Sequence, residues 1–199
     1  MLDSLGAFLS SYLDLDGGVY AVIAQLIGLV ALTVSFISFQ SRTQRTIMVM
    51  QVISTCLFAV HLYMLGALSG MLMNIAACLR SLIFSFRNRY RWAASPFWII
   101  FFITVCAVLS LISVFGGEGA VALLPLGGMI LTTFAGSCRE ASRVRLLTLL
   151  NSPFWLSYNL ISRSIPGVLT ELLVSGSIIL GMIRLDRNKR ERIEETPNG

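Results

Sequence analysis

The feature that most constrains this chain is an internal repeat built from apolar segments of membrane-crossing length. Residues 42–87 are echoed without a gap by residues 139–184, at a constant offset of 97 positions (42 to 139, 87 to 184). The pairs that keep their position or chemistry include Gly70 with Gly167, His61 with Tyr158 and Asn74 with Glu171. A duplicated helical unit in a bilayer protein is typical of small transporters, in which two halves rock around a site on their shared axis.

The composition is that of a polytopic membrane protein. Mean hydropathy is +0.80, with 56% hydrophobic and only 13% charged residues, which is too apolar for a soluble domain of this size. The apolar stretches are continuous and show little alternation, so we expect helices and no strands. Seven of them have about the length that a helix needs to cross a bilayer: 20–39, 47–66, 68–86, 97–115, 119–137, 146–161 and 165–183.

The repeat arranges these predicted spans as three, one and three. Residues 20–86 form the first three-helix repeat and residues 116–184 the second. After three crossings the chain lies on the wrong face of the membrane to begin a second copy in the same orientation. A linker helix in the connecting segment 87–115 restores that orientation and makes the repeats parallel. The sequence therefore predicts an all-α membrane protein of seven transmembrane helices.

Positive charge marks the predicted cytoplasmic side. Almost every cation of this chain, whose net charge is +5, lies in every second connection or in the tail, and the other side keeps only Arg163. By the positive-inside rule, segment 1–19 lies outside and the polar tail 185–199 lies in the cytoplasm. Segment 1–19 is compatible with an interfacial helix and with a frayed terminus. Because the charge is an orientation signal, we expect the lipid bilayer as a partner and no nucleic acid.

Several short motifs resemble the SWEET, SemiSWEET and PQ-loop transporters. They are Ser35-Phe36 in the first predicted helix, Gln40 before a basic turn, and the stretch 65–70 between the second and third helices. A closer resemblance, over residues 25–187, is to the YgjV-type bacterial inner-membrane proteins. The residues that carry it are the stretch 78–83 together with Trp155, Asn159, Ser164, Ile165, Gly167 and Glu171. The resemblance implies a SWEET-like fold in a bacterial inner membrane.

Asn74 and Glu171 are the centre of the predicted substrate site. Each lies six residues into the predicted third helix of its repeat, or about 9 Å below the outer end at the helical rise. In a pseudo-twofold arrangement, a carboxylate would then face an amide across a cavity and bind a cationic or hydroxyl-bearing solute, or a coupling proton. The other predicted lining residues are His61, Trp155, Tyr158 and Asn159. The alternative for Glu171 is a structural ion pair with Arg163 or Arg80.

A second set of residues is predicted to act in gating: Arg80, Gln40, Pro125 and Pro153. Proline removes a backbone hydrogen bond, so Pro125 and Pro153 are expected to let their helices bend. A charge in hydrocarbon costs roughly 3 kcal/mol on insertion scales, so Arg80 must face the interior or reach the headgroups. Both alternatives remain open: an arginine that snorkels to the inner headgroups, or a gate or anion contact inside the bundle.

The leading hypothesis is a transporter or facilitator of a small polar metabolite that works by alternating access. The alternatives are a receptor-like membrane binding protein and a structural membrane subunit without transport. The sequence carries no enzyme signature, so we expect no catalytic residues and no cofactor. His61 is the lone histidine and the four cysteines are dispersed, which argues against a metal site. Proton coupling and homo-oligomer formation are left open.

Overall fold

The structure is a computed structural model that describes residues 18–40, 44–86, 89–138 and 141–194. The predicted outer segment 1–19 and the end of the predicted tail therefore lie almost entirely outside the described residues. The regular elements of the described ranges are all helices, and these ranges contain no strand. Their α-helices are α1 Gly18–Gln40, α2 Gln44–Met64, α3 Leu68–Ser85, α4 Phe97–Ser113, α5 Leu123–Ala135, α6 Ala141–Ile161 and α7 Ile165–Glu194.

Four stretches of the described chain are long and apolar enough to cross a membrane. They are Val19–Ile37, Leu68–Ser85, Phe97–Ala135 and Ile165–Ile183, and a shorter apolar helix runs over Val52–Met64. Phe97–Ala135 contains both α4 and α5, which are joined by a π-helical turn and a 3-10 turn around Gly117 (φ 111°). The structure therefore has several helices fit for a bilayer, and the arrangement of seven crossings stays a prediction.

The last helix is longer than expected. The predicted span ends at residue 183, whereas α7 continues through the charged stretch to Glu194. The physical reason is that extending a nucleated helix adds one hydrogen bond for each residue ordered, so a polar segment can remain helical beyond an apolar one.

The offset of 97 that relates the two stretches of sequence also relates the helices. Adding 97 to the bounds of α2 (44 and 64) gives the bounds of α6 (141 and 161). Adding 97 to the first residue of α3 (68) gives the first residue of α7 (165). Within the first half α2 packs against α1 and α3, and within the second half α6 packs against α5 and α7. The halves meet through α1 with α7 and through α3 with α5. Each of these two contacts is the equivalent of the other, because the offset relates α1 to α5 and α3 to α7. Helix α4 packs against α3 and α5.

The turns after α2 and α6 have the same backbone conformation. Gly66 and Arg163, which occupy equivalent positions, both adopt a positive φ, 72° and 54°. A residue in this left-handed conformation ends a helix, because the N–H groups at the turn can then bond the last carbonyls of the helix. The conformation is easier for glycine than for a residue with a side chain. Equivalent backbone bonds surround both turns: Ala67 N to Leu62 O and Ser164 N to Asn159 O, each 2.9 Å. We call this end of the bundle, marked by Gly66 and Arg163, the turn end.

Two clusters of buried side chains hold the bundle together. Met73, Ala76, Cys106 and Met129 join α3, α4 and α5, whereas Leu62, Ala67 and Tyr158 join α2, α6 and the turn between α2 and α3. Trp155 packs against both clusters. Large apolar side chains cover the outside instead, such as Ile100, 69% exposed, and Val19, 77% exposed. A surface this apolar suits lipid rather than water.

Candidate functional site

His61 joins three helices at the turn end. It is fully buried, with Nδ1 2.7 Å from the carbonyl oxygen of Ala24 on α1 and Nε2 2.7 Å from the hydroxyl of Ser164, the residue before α7. The carbonyl can only accept, so Nδ1 carries the proton, and Nε2 of the neutral ring accepts from Ser164. Ser164 in turn accepts the N–H of Gly167 at 3.1 Å. The ring thus ties the first half of the chain to the start of α7.

Tyr158, the counterpart of His61 in the second half, makes the reverse connection. Its buried hydroxyl accepts the N–H of Gly70 on α3 at 2.7 Å and lies 3.0 Å from the hydroxyl of Ser69. Glu118, from the turn between α4 and α5, accepts the N–H of Ser69 at 2.8 Å and also the Ser69 hydroxyl proton. Since a carboxylate can only accept, the Tyr158 proton points to Ser69 Oγ.

These contacts form one reciprocal arrangement, which we call the turn-end network: His61, Ser164, Tyr158, Ser69, Gly70 and Glu118. In each half, the second helix reaches the start of the third helix of the other half. Gln25 on α1 adds a bond from its amide nitrogen to the carbonyl of Arg163 at 2.8 Å. The network therefore closes the turn end across the boundary between the halves. A small cavity of about 220 Å³, lined by Glu118 and Tyr158 among others, lies beside it.

Glu171 and Asn74 occupy equivalent levels of α7 and α3, but each has a partner within its own half. The hydrogen-bond partner of Glu171 is Ser152 on α6, a residue that is 4% exposed. The Asn74 amide nitrogen donates to the carbonyl of Gly70, one turn earlier in α3, at 2.9 Å. A cavity shared by Asn74 and Glu171 stays a prediction.

A buried acceptor without a donor lies next to Ser152. Asn151 Oδ1 is buried and receives no hydrogen bond from the described part of the chain. It borders Gly128 on α5, at a point where the Trp155 indole also comes close. Buried amide oxygens are normally paired, so this atom is suited to a donor supplied by a ligand or by water. Of the six predicted substrate-binding residues, Trp155 thus lies beside this unused acceptor on α6.

The remaining predicted substrate-binding residue, Asn159, is part of the structure around the α6–α7 turn. It is 4% exposed, and its side-chain amide lies against Gly167 at the start of α7. A Cβ added at Gly167 would overlap that amide. The close approach of α6 and α7 at this point therefore requires a glycine.

Arg80 lies inside the bundle and does not snorkel. It is only 9% exposed, and Nη1 donates to Thr132 Oγ1 at 3.0 Å, to Thr133 Oγ1 at 2.8 Å and to the carbonyl of Met129 at 3.3 Å. All three partners are neutral groups of α5. Of the two alternatives left open by the sequence, the structure has the interior one, and Arg80 joins α3 to α5 across the boundary between the halves.

The structure gives a different result for each of the other three predicted gating residues. Gln40 is the last residue of α1, and its side chain lies outside the described residues. Pro153 lies inside α6 and removes one backbone hydrogen bond from it, as expected. Pro125 is the third residue of α5, where a missing N–H disrupts a helix least, so its ability to bend α5 is smaller than predicted.

A second cavity, of about 870 Å³, is a cleft between α1, α6 and α7. Its lining is mostly apolar, with Ser35, Thr148, Thr170 and Ser177 as hydroxyls and Arg145 at the end away from the turns. None of the six predicted substrate-binding residues lines it. We refer to it as the α1–α7 cleft.

Several residues that matter at these sites were not predicted: Ser69, Glu118, Ser164, Ser152, Thr132 and Thr133. Ser164 could have been found, because a serine directly before a helix is an N-cap signal. Ser69 is the second residue of α3, and nothing in its neighbourhood indicates that Tyr158 and Glu118 will reach it. Glu118 lies between glycines in the sequence, a pattern that indicates a turn and nothing more. Nothing local to Thr132 or Thr133 indicates that an arginine from another helix will reach them.

The comparisons with known proteins agree on the membrane assignment. The model of the family Imp-YgjV, described as bacterial inner membrane protein, matches residues 22–189. The chain is 25% identical to Inner membrane protein YgjV of Escherichia coli (strain K12) over an alignment of 187 residues that covers 88% of this chain and 94% of that protein. No solved structure matches the chain. The family model covers most of the chain, and several of the described helices are apolar and long enough to cross a membrane. This chain therefore belongs to the Imp-YgjV family of bacterial inner membrane proteins.

Proposed function

We propose that this protein moves a small polar solute across the inner membrane by alternating access between two parallel three-helix repeats. The repeats are α1 to α3 and α5 to α7, with α4 as the linker, seven crossings in all, and the turn end faces outside. The constant offset of helix bounds and the equivalent turns at Gly66 and Arg163 support the duplication. The bias of positive charge supports the orientation. The resemblance of the motifs to SWEET and PQ-loop transporters belongs to the same proposal.

The observation that carries the proposal is the reciprocal turn-end network. Its hydrogen bonds, His61 to Ser164 and Tyr158 to Ser69 and Gly70, cross between the halves and are few enough to break together. Individual hydrogen bonds contribute only about 0.5–1.5 kcal/mol net, so such a network can open without unfolding a helix. In this proposal the structure is the outward-closed state, and opening the network admits solute from outside.

The solute site in this proposal lies around α6, with Glu171 and Ser152 on the side of α7, and Asn151 and Trp155 on the side of α5. A carboxylate and an unpaired amide oxygen are both acceptors. They are therefore matched to a solute that donates hydrogen bonds, either an ammonium group or several hydroxyls. Solute movement needs no covalent step, so we propose no enzymatic activity.

Glu171→Gln should remove most of the transport. A panel of amino compounds and polyols would first be screened for those that raise the melting temperature, since a ligand of the folded state stabilises by mass action. Uptake of the hits into proteoliposomes is then measured. We expect uptake to fall at least tenfold in Glu171→Gln, because a lost charged hydrogen bond costs about 1.5–3 kcal/mol.

Thr170→Val is the matched control for that experiment. Thr170 precedes Glu171 on α7, and its hydroxyl bonds only the carbonyl of Pro166 in the same helix, at 2.8 Å. Uptake by this variant should equal that of the unmodified protein. Full uptake by Glu171→Gln would disprove the site, and a ligand that stabilises the protein but never crosses the membrane would point to a binding protein instead.

Tyr158→Phe should open the turn end from outside. The test places a cysteine at Leu62, which is 2% exposed and packs against Tyr158, in a background without the four native cysteines. A membrane-impermeant thiol reagent is then added to intact cells. Because an unpaired buried group costs about 1–3 kcal/mol, Tyr158→Phe should raise the labelling rate about tenfold.

Tyr63→Phe provides the control for the labelling experiment, since Tyr63 is on α2 as well but is 64% exposed. It should leave the rate unchanged. If labelling in Tyr158→Phe remains as slow as before, the network is not a gate. If the cysteine is reached only from the cytoplasm, the proposed orientation is wrong.

A further inference from the structure

The α1–α7 cleft has a counterpart in the other half of the molecule, and the two differ. Under the offset of 97, Leu32 and Ser35 of the cleft correspond to Met129 and Thr132, and Ser177 corresponds to Arg80. On the α3–α5 side, the Arg80 side chain is buried and bonds Thr132. Helix α4 packs against the same pair of helices, α3 and α5. On the α1–α7 side a serine replaces the arginine and the space is a cavity of about 870 Å³.

The floor of the cleft on α7 is formed in part by small residues. Gly176 and Gly181 both line it, and a Cβ built at either would meet no atom within 4 Å. Both have ordinary helical backbones, so neither glycine is required by a turn or by a close helix contact. The glycines therefore leave depth in the cleft that a side chain would fill.

The length of the cleft matches one leaflet of a bilayer. Its lining on α7 runs from Thr170 to Gly181, a rise of eleven residue steps (181 − 170) or roughly 16 Å. That is about half of the roughly 30 Å hydrocarbon core. Leu172, Leu173 and Leu180, which line the cleft, are all more than half exposed, so it opens sideways on the apolar surface of the bundle.

The polar end of the cleft carries a positive charge. Arg145 lies sixteen residues before the end of α6 (161 − 145), and Gly181 lies sixteen residues after the start of α7 (181 − 165), so both are at the same level of this helix pair. An arginine at the headgroup end of an apolar cleft between membrane helices is the arrangement that recognises an anionic lipid headgroup. A small polar solute would find few partners in so apolar a lining.

We propose that the α1–α7 cleft binds an anionic phospholipid from the leaflet on the Arg145 side, with its acyl chains along α7 and its phosphate at Arg145. The lipid takes the place that Arg80 and α4 occupy at the equivalent cleft. This site is separate from the turn-end network and from Glu171, so it stands or falls independently of solute transport.

Native mass spectrometry of the full chain, titrated with phosphatidylglycerol or phosphatidylcholine, tests the proposal. Arg145→Gln should weaken phosphatidylglycerol binding about fivefold, as expected for one basic residue at a lipid surface, and leave phosphatidylcholine binding unchanged. The double variant Gly176→Leu/Gly181→Leu should lose the bound lipid of either kind. Arg91→Gln removes the same charge from the loop between α3 and α4 and should bind as the unmodified protein does.

Three outcomes would overturn the site. One is phosphatidylglycerol binding that neither Arg145→Gln nor the double glycine variant changes. Another is an equal loss in Arg91→Gln, which would indicate general surface charge. The third is a dimer of the unmodified chain that the glycine variant abolishes, which would make a second copy the occupant. If the glycine variant does not fold, the ratio of phosphatidylglycerol to phosphatidylcholine affinity in Arg145→Gln decides.

Discussion

Gly70→Ala should be among the most damaging single-methyl changes in this protein. A Cβ at residue 70 would lie 2.5 Å from the Tyr158 ring and 2.9 Å from both the Tyr158 hydroxyl and Leu62. The alanine must therefore push Tyr158 away, which strains the packing by about 1–3 kcal/mol. It also breaks the bond from the Gly70 N–H to Tyr158, which adds about 1–3 kcal/mol for the unpaired group. We expect a total loss of about 3 kcal/mol in the free energy of unfolding.

Gly176→Ala is the matched control, since it makes the same change in another membrane helix. Its Cβ would meet nothing within 4 Å. Because alanine favours a helix over glycine by about 1 kcal/mol, this variant should be neutral or slightly more stable. Thermal unfolding of both variants in one detergent measures the difference. Equal melting temperatures would show that α3 and Tyr158 are not in close contact.

The second large effect concerns Arg80 and the two threonines it reaches. Replacing Thr132 and Thr133 by valine keeps their shape but leaves the buried guanidinium with the Met129 carbonyl and sulfur as its remaining partners. Breaking a buried charged interaction on one side is strongly destabilising, and we expect a loss of about 3–5 kcal/mol for the double variant. Adding Arg80→Met removes the charge as well and should restore most of that stability.

The comparison of these variants is a thermodynamic cycle, in which the recovery measures the coupling between Arg80 and the threonines. Thr148→Val serves as the control, because the Thr148 hydroxyl bonds the carbonyl of Val144 in its own helix at 2.8 Å. It should change stability by less than about 1 kcal/mol. If the threonine variants are as stable as the control, Arg80 reaches the headgroups instead of α5.

Much of the fold follows from the sequence. The expectation of an all-α membrane chain is confirmed, and the resemblance to the YgjV family is confirmed by the match over residues 22–189. The offset of 97 also carries over to the helix bounds, for example from Leu68 to Ile165. The reason is that helix formation and termination depend on neighbours within one or two turns, so equal local sequence patterns start and end helices at equal places.

The candidate sites were less predictable, because their bonds join residues that are distant in sequence. His61 and Ser164 are 103 positions apart, and Tyr158 and Ser69 are 89 apart. The sequence could place His61 and Tyr158 at equivalent positions of the repeat, but it could not pair them with Ser164 and Ser69. The shared layer of Asn74 and Glu171 stays a prediction, and the partners that the structure gives them, Gly70 and Ser152, come from their own halves.

The amino-acid sequence by itself determined that the chain is helical and belongs in a bilayer. In hydrocarbon, only a helix or a closed barrel can satisfy the polar groups of a spanning backbone, and the continuous apolar segments indicate helices. Only the tertiary structure decided that Arg80 binds α5, that the turn end is closed by bonds between the halves, and that one of two equivalent clefts is open. A hydrogen bond acts over about 3 Å, so its partner is decided by how helices pack, and no local pattern records that distance.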